Sequence, residues 1–333
     1  MKAFINSVAY YLPNEVLTNE DLIKVFPEWN VEKVTDKVGV NQRHIASVDE
    51  TAGDMAVKAA EKLFEEFSVD VSTIDFILLC TQSPDYFLPT TACLIQDKLG
   101  ISTNAGAIDF NLGCSGYVYG LALAKSLIYA GIAKNVLLLT SETYTKYIHP
   151  KDKGNRSIFG DGASASLIST EGFAEIGEFV LGTDGSGASN LIIQTGGARQ
   201  PYSSNSVDLG ADDYLSSPDH LYMNGSSIFN FTIDAVPKLV ESTLEKNSLL
   251  KSDVNLFVFH QANKFMLNTL RKVCSINKDL FYVDLEDAGN TVSSTIPIAL
   301  ARLQSQESFQ NGGYMLLAGF GVGYSWGGCV LKY

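Results

Sequence analysis

The stretch GAIDFNLGCSGYVYGLALAKSLIYAGIAKNVLLLT, residues 106–140, contains one complete strand–helix–strand unit. Gly106 to Phe110 is a short apolar run of strand length. Ser115 to Tyr129 is apolar enough for a buried helix and stops at Gly131, a residue suited to the left-handed turn that ends helices. Val136 to Thr140 is again strand-length and apolar. A helix between two strands lets them lie parallel, and buried parallel strands read as continuous apolar runs.

The same grammar extends outward. Upstream, Ala3 to Ala9 alternates as a strand, and Thr18-Asn-Glu-Asp opens a short helix with a cap and an acidic first turn. Apolar residues at 55, 56, 59, 60, 63, 64 and 67 recur at helical spacing from Asp54 to Phe67. Ile74 to Cys80 reads as a strand, Thr90 to Leu99 as a helix stopped by Gly100, and Ala163 to Ser169 as a closing strand. The second half repeats this order. A long helix from Ser226 to Glu245, interrupted by Pro237 and expected to bend there, precedes strand Leu256–Phe259 and helix Ala262–Val273. A strand near Phe281, a helix from Ser293 to Gln304, and strands Tyr314–Ala318 and Trp326–Leu331 follow. The expected fold is α/β, with largely parallel sheets covered on both faces. One unit is used twice, over 1–172 and 173–333, a repeat that rests on element order more than on matching residues. Gly182 to Ser217 reads as a surface excursion, with Leu191-Ile-Ile, Tyr202 and Tyr214 giving it something to bury.

The chain has 333 residues, 46% of them hydrophobic and 18% charged, as expected of a folded globular chain. A net charge of −13 and a pI near 4.7 are the wrong sign for neutralising phosphates, which disfavours a nucleic-acid role. The apolar runs fall far short of the roughly 18 residues of a membrane span. Asn6, Ser7 and Pro13 interrupt the N-terminus before a signal-peptide core could form. Five widely spaced cysteines without a CxxC pair suggest neither a disulfide framework nor a zinc site. The expectation is a cytoplasmic chain with reduced thiols.

Three places could carry chemistry. Cys114 lies between a buried strand and a helix start flanked by Gly113 and Gly116. There the unpaired amides and positive helix end favour a thiolate, lowering its pKa toward neutrality. A small buried side chain is the competing account. His260 ends strand Leu256–Phe259, where ligands gather in parallel sheets, or it is satisfied within the core or caps the next helix. Asn290 stands in Ala288-Gly-Asn-Thr-Val-Ser-Ser294, the loop equivalent to that of Cys114 in the repeat, or it is a turn or capping residue. A pseudo-twofold relation would bring the two loops together. The glycine-rich Gly319-Phe-Gly-Val-Gly-Tyr-Ser-Trp-Gly-Gly328 precedes a strand and no helix, which excludes a phosphate loop. It fits a tight turn whose amide faces a ligand oxygen.

Together, Asn111-Leu-Gly-Cys-Ser-Gly116, Phe259-His-Gln-Ala-Asn263, Gly289-Asn-Thr-Val-Ser-Ser294 and Gly319-Phe-Gly-Val-Gly-Tyr-Ser-Trp-Gly327 resemble β-ketoacyl-acyl-carrier-protein synthase III of the thiolase superfamily. Tyr11-Leu-Pro-Asn14, Val38-Gly-Val-Asn-Gln-Arg-His-Ile45, Pro89-Thr-Thr-Ala-Cys-Leu-Ile-Gln96 and Phe159-Gly-Asp-Gly-Ala163 extend the resemblance over nearly the whole chain. It implies a five-layered α-β-α-β-α sandwich of two duplicated halves, working as a homodimer. It also implies an acyltransferase without metal or redox cofactor. An acyl thioester on CoA or acyl carrier protein loads Cys114, and malonyl-acyl carrier protein condenses with loss of carbon dioxide. His260 and Asn290 complete the catalytic set, and the amides of Cys114 and Val322 form the oxyanion hole. Phe320 stands beside the nucleophile, Phe159 in the acyl pocket, and Gly225 and Phe229 near the pantetheine tunnel.

The sequence departs from that family at several points. Lys37 and Lys153 stand where arginines are usual, losing planar stacking and bidentate geometry. The position four before Lys37 is Lys33, and Trp29 lies a further four back. Phe265 replaces an arginine. These changes point to a first acyl group carried by a protein or a thioester other than CoA. Leu88 replaces a phenylalanine that closes the acyl pocket across the dimer, leaving room for a longer or bulkier chain. Lys264, Arg271 and Lys272, seven and eight apart, form a candidate docking face for acidic carrier protein on an acidic enzyme, or an ordinary solvated face. Condensation competes with acyl transfer to a hydroxyl or amine on the same fold. Hydroxymethylglutaryl-CoA synthase chemistry lacks a matched glutamate, and a silent subunit would be expected to lack the cysteine.

Overall fold

The computed structural model describes residues 2–201, 217–306 and 312–333. Strand β1 (Phe4–Tyr11) leads into a ribbon of β2 (Glu15–Thr18) and β3 (Gln42–Ile45), which brackets helices α1 (Asn19–Val25) and α2 (Val31–Val38). Thr18 caps α1 as its sequence predicts, in a reciprocal box with Asp21. Helix α3 (Ala52–Phe67) is capped the same way by Thr51 and Asp54. Next come β4 (Phe76–Cys80), α4 (Thr91–Lys98), β5 (Gly106–Phe110), α5 (Gly116–Tyr129), β6 (Val136–Glu142), α6 (Lys153–Ile158) and β7 (Gly162–Ser169). The later elements are β8 (Ala174–Thr183), β9 (Leu191–Ile192), β10 (Tyr222–Met223), α7 (Gly225–Lys246), β11 (Leu256–Phe259), α8 (Lys264–Val273), β12 (Phe281–Tyr282), α9 (Thr295–Gln304), β13 (Tyr314–Gly321) and β14 (Ser325–Lys332).

Ten strands are hydrogen-bonded in the order β12-β11-β13-β14-β8-β1-β7-β6-β4-β5. Counted outward from the β8/β1 junction, the two arms have the same order. Each starts with its first strand in sequence, then takes its last, fourth, second and third. The directions match as well: β4 is parallel to β5 and β6, as β11 is to β12 and β13, and the strands nearest the junction are antiparallel.

Packing explains the layers. Helices α5 and α9 lie between the arms, where Tyr117, Leu121, Ile128, Ile296 and Leu300 share one core with Val8 and Leu138 of one arm and Val258 and Leu317 of the other. The outer face of the first arm packs on α3 and α4 through Met55, Leu63 and Ile95. The outer face of the second packs on α7 and α8 through Val236, Leu239, Leu267 and Leu270. The result is α-β-α-β-α. Burying such a Leu or Ile stabilises by about 1.5–3 kcal/mol, so the shared middle layer is a principal source of cohesion.

The sheet differs from expectation in being mixed, with antiparallel pairs between β1 and β7, β6 and β7, β13 and β14, and β14 and β8. The physical reason is clearest for β13 and β14. Only a tight turn joins them, and a parallel pair would need a long crossover. Strand β8 was hidden because Ala174 to Thr183 mixes glycines and glutamates with its apolar residues. Helix α7 continues through Pro237 as one element. Within the excursion, β9 pairs with β10 and Leu191 is buried, while Tyr202 and Tyr214 lie outside the described residues. Among the described residues no helix is long and apolar enough to cross a membrane, and the cysteines are free.

Candidate active site

Cys114 sits at the amino end of α5, buried to 7% exposure. The turn before it is tight, with the Gly116 amide donating to the Gly113 carbonyl at 2.8 Å. Ser115 ties the helix start to β14 through Ser325, hydroxyl to hydroxyl at 2.6 Å. The backbone amides of Cys114 and Val322 address the sulfur and favour its anion. Against them stand burial, the larger effect, and the nearby Glu142, which push the thiol up to about 12. The expected pKa near neutrality is therefore not what the site produces. A helix end is worth at most about 2 kcal/mol, whereas full burial shifts a group by up to about 3–5 pKa units.

Glu142, at the end of β6, is fully enclosed. It accepts from the Gln82 amide at 3.0 and 3.1 Å and from the hydroxyls of Ser83 at 2.8 Å and Ser293 at 3.2 Å. Burial nonetheless raises it to about 8. Sequence reasoning passed over this residue. The signal was a polar group at the carboxyl ends of adjacent parallel strands, Thr81-Gln-Ser83 after β4 and Ser141-Glu142 closing β6.

His260 follows β11 and is 2% exposed. Burial lowers it to about 3, so its ring is neutral. Its Nδ1 pairs with Thr295 Oγ1 at 2.8 Å, and its Nε2 lies 3.5 Å from Asn290 Nδ2. The Asn290 carboxamide is oriented from the other side, because the Val292 amide donates to its Oδ1 at 2.9 Å. Val292 adopts φ 57°, a left-handed conformation that costs a β-branched residue roughly 1–3 kcal/mol. The Asn290 backbone bonds both ways with the 158–160 segment, from its amide to Ile158 and from the Gly160 amide to its carbonyl, placing Phe159 alongside.

Phe320 meets the His260 ring edge-on at 5.8 Å between centroids. Its neighbour Gly321 lies against Cys114, so consecutive residues of β13 touch the imidazole and the thiol. Phe159 is buried and packs on Tyr144 at 5.5 Å. A cavity of about 690 Å³ is lined by Gln82, Asn111, Tyr144, Val322, Tyr86 and Phe87. A second, of about 550 Å³, is lined by Trp29, Lys37, Gly154, Ser157, Asn263 and Phe265. Phe229 of α7 stacks on Phe265 at 5.4 Å, and Gly225 begins α7 facing open space.

The remaining sequence candidates lie further out. Leu88 is 82% exposed beside the exposed Tyr86 and Phe87. Lys153 is ion-paired with Glu28. Lys264 and Lys272 are exposed at opposite ends of α8, whereas Arg271 turns one guanidinium nitrogen onto the Ile276 carbonyl at 3.0 Å. The side chain of Lys33 lies outside the described residues. Among the described residues, no cluster of three or more His, Cys, Asp or Glu could hold a metal ion.

Comparison with known proteins accords with this geometry. Residues 108–185 match the model of 3-oxoacyl-[acyl-carrier-protein (ACP)] synthase III, and residues 244–333 match that of its C-terminal part. A beta-ketoacyl-[acyl-carrier-protein] synthase III of Clostridium perfringens is 35% identical over 323 residues, covering 97% of this chain and 96% of the relative. The chain belongs to the β-ketoacyl-ACP synthase III family. A crystal structure of a 3-oxoacyl-(acyl-carrier-protein) synthase III superposes with TM-score 0.94 at 46% identity, covering 100% of both chains. The 3-oxoacyl-(acyl-carrier protein) synthase of Burkholderia xenovorans superposes with TM-score 0.89 at 36% identity, covering 100% of this chain and 94% of the other. This family member is an acyl-transferring condensing enzyme of thiolase-like fold.

Proposed function

We propose that Cys114 takes an acyl group from a thioester and passes it to malonyl-acyl carrier protein with loss of carbon dioxide, giving a β-ketoacyl-acyl carrier protein. In the first half-reaction the Cys114 sulfur bonds the acyl carbon, the donor's carbon–sulfur bond breaks, and the thiol proton leaves on the departing thiol. The amides of Cys114 and Val322 hold the oxyanion between these events. In the second, the malonyl carboxylate leaves as carbon dioxide, and the enolate oxygen is held by the neutral His260 ring and the Asn290 carboxamide. The enolate carbon attacks the acyl-enzyme, and Cys114 departs with uptake of one proton. The sequence balances without a metal or redox group.

Contact of the consecutive residues Phe320 and Gly321 with His260 and Cys114 carries this reading. It sets the nucleophile and one of the two enolate donors against the same strand. Phe320 also supplies an apolar wall that disfavours a carboxylate beside it. Phe159 borders the acyl pocket, Gly225 and Phe229 border the pantetheine path, and Lys37 and Lys153 stand at the arginine positions that bind the CoA end of a donor. Lysines at positions 37 and 153, in place of stacking and bidentate arginines, favour a carrier-protein donor over a nucleotide thioester.

The working assembly is a cytoplasmic homodimer, with Tyr86, Phe87 and Leu88 covered by the second copy. Each copy comprises halves 1–172 and 173–333, a division supported by the repeated strand order. Carrier protein docks on the face of Lys264, Arg271 and Lys272. The test is carbon dioxide release and product mass from malonyl-acyl carrier protein with a panel of acyl thioesters. Stoichiometric carbon dioxide and β-ketoacyl product are expected. Acylated hydroxyl or amine product without carbon dioxide would move the assignment to simple acyl transfer.

A further inference from the structure

The cavity of about 690 Å³ beside Cys114 has a lining of two kinds, and the difference bears on which acyl group the sulfur receives. Val322 and Tyr144 both line it. The amide of the first addresses the Cys114 sulfur, and the phenol of the second is pushed well above its ordinary value by burial, then by Glu142 and by Cys114. The cavity therefore begins where an acyl group on the sulfur extends. Leu191, Ile193 and Leu221 make one part of it apolar. Another part is a row of neutral polar side chains, in which Tyr144 donates its hydroxyl to Gln82 Oε1 and Gln82 Nε2 donates to Asn111 Oδ1 at 2.9 Å. A Cβ on Gly113, the residue before Cys114, would lie 2.7 Å from Gln82 Oε1, so the row stands close to the thiol.

Such a row has hydrogen-bonding capacity beyond its internal bonds. A carboxamide carries two N–H donors. Among the described residues, Gln82 places one of them on Asn111, and Asn111 takes part only through its oxygen. Open to water, the remaining donors are satisfied. A pure hydrocarbon chain lying along the row expels that water and leaves them unpaired, whereas an oxygen on the chain replaces it. The oxygen must be uncharged. Among the described residues that line the cavity, Asp85 alone carries a formal charge and none is basic, so a carboxylate on the acyl chain would meet no counter-ion. The Tyr144 ring is held in place by Phe159, at 5.5 Å between centroids, which keeps the row in register with the thiol.

We propose that Tyr144, Gln82 and Asn111 are specificity-determining residues that select a first acyl group bearing an uncharged oxygen, hydroxyl or keto, close to its thioester. The apolar part of the cavity takes the hydrocarbon remainder of the chain. The proposal rests on the loading of Cys114 in the condensing reading and names the substrate class of that step.

The test is single-turnover acylation of Cys114, followed by mass, with hexanoyl, 3-hydroxyhexanoyl, 3-oxohexanoyl and succinyl thioesters, each supplied on acyl carrier protein and on CoA. At least one of the two oxygenated hexanoyl groups is expected to load about tenfold faster than hexanoyl, the scale of one buried donor left unpaired, and succinyl slowest of all. The double variant Gln82→Met, Tyr144→Phe keeps side-chain volume and removes the polar atoms, which separates the row from the intrinsic reactivity of the thioesters. In it the preference should fall about tenfold. If it does not fold, Asn111→Leu at the exposed end of the row gives the same readout. A wild-type preference for hexanoyl, a lead for succinyl, or a preference unchanged in the variant overturns the proposal while leaving the condensing reading intact. Failure of every thioester to load Cys114 removes both.

Discussion

Gly321 faces Cys114 with no room for a methyl group: a Cβ there would lie 2.9 Å from both Cβ and Sγ of the cysteine. The contact involves the proposed nucleophile and sits one residue before Val322, whose amide addresses the sulfur. Gly321→Ala must displace either the thiol or the 320–322 backbone. Its acylation rate, read by mass in single turnover, is expected to fall about a hundredfold, since one misplaced donor costs that much. Wild-type loading would contradict the geometry.

Glu142 makes stability depend on pH with a definite sign. Its folded pKa of about 8 lies above the ordinary 4.5 of a glutamate, so the folded state holds the proton more tightly. Its contribution is fully present below pH 4.5 and is lost as pH rises through 8. Glu142→Gln removes that dependence. The melting temperature of the variant relative to wild type should rise between pH 5 and pH 9, and a flat difference would refute the assignment.

The same carboxylate raises the thiol, so Glu142→Gln should also move the midpoint of Cys114 alkylation by iodoacetamide to lower pH. Burial, the larger cause, remains in the variant. The thiol is therefore expected to stay above its ordinary value.

His260→Ala and Asn290→Ala should separate the half-reactions. Each removes one proposed donor for the enolate, for an expected loss of about 10²–10³ in decarboxylation, with Cys114 loading preserved. Equal loss in both half-reactions would place these residues in acyl transfer instead. No histidine titration should appear in the decarboxylation profile above pH 5, because burial holds His260 near 3.

Tyr86, Phe87 and Leu88 are 63%, 89% and 82% exposed, a contiguous apolar surface that water disfavours. Phe87→Asp is expected to shift the protein from dimer to monomer in sedimentation. A wild-type monomer at micromolar concentration would remove the basis for the dimer.

Much of the fold was legible because the strands of the inner arms are uninterrupted apolar runs. Phe76 to Cys80 and Val136 to Leu139 are such runs, of strand length and bounded by polar residues. The antiparallel strands were harder. Ala174 to Thr183 carries glutamates among its apolar residues, and its place between β14 and β1 is set by the meeting of distant segments. Cys114, His260 and Asn290 stood out through the turns and strand ends that hold them. Their electrostatics did not, since a helix start is visible in sequence but the enclosure that overrides it is not. Thr295 and Glu142 were missed for a related reason. Each meets a residue far away in the chain, and neither has a local pattern separating it from an ordinary capping threonine or strand-end glutamate.

The hydroxyl contact between Ser115 and Ser325 spans 210 residues, fastening the start of α5 to the last strand. The proposed nucleophile comes from the first arm and its neighbouring wall, with the imidazole, from the second. A chain with only one arm formed thus possesses a thiol but no centre in which to use it. Turnover consequently reports that the two ends of the polypeptide have met, and an arrested folding state cannot condense.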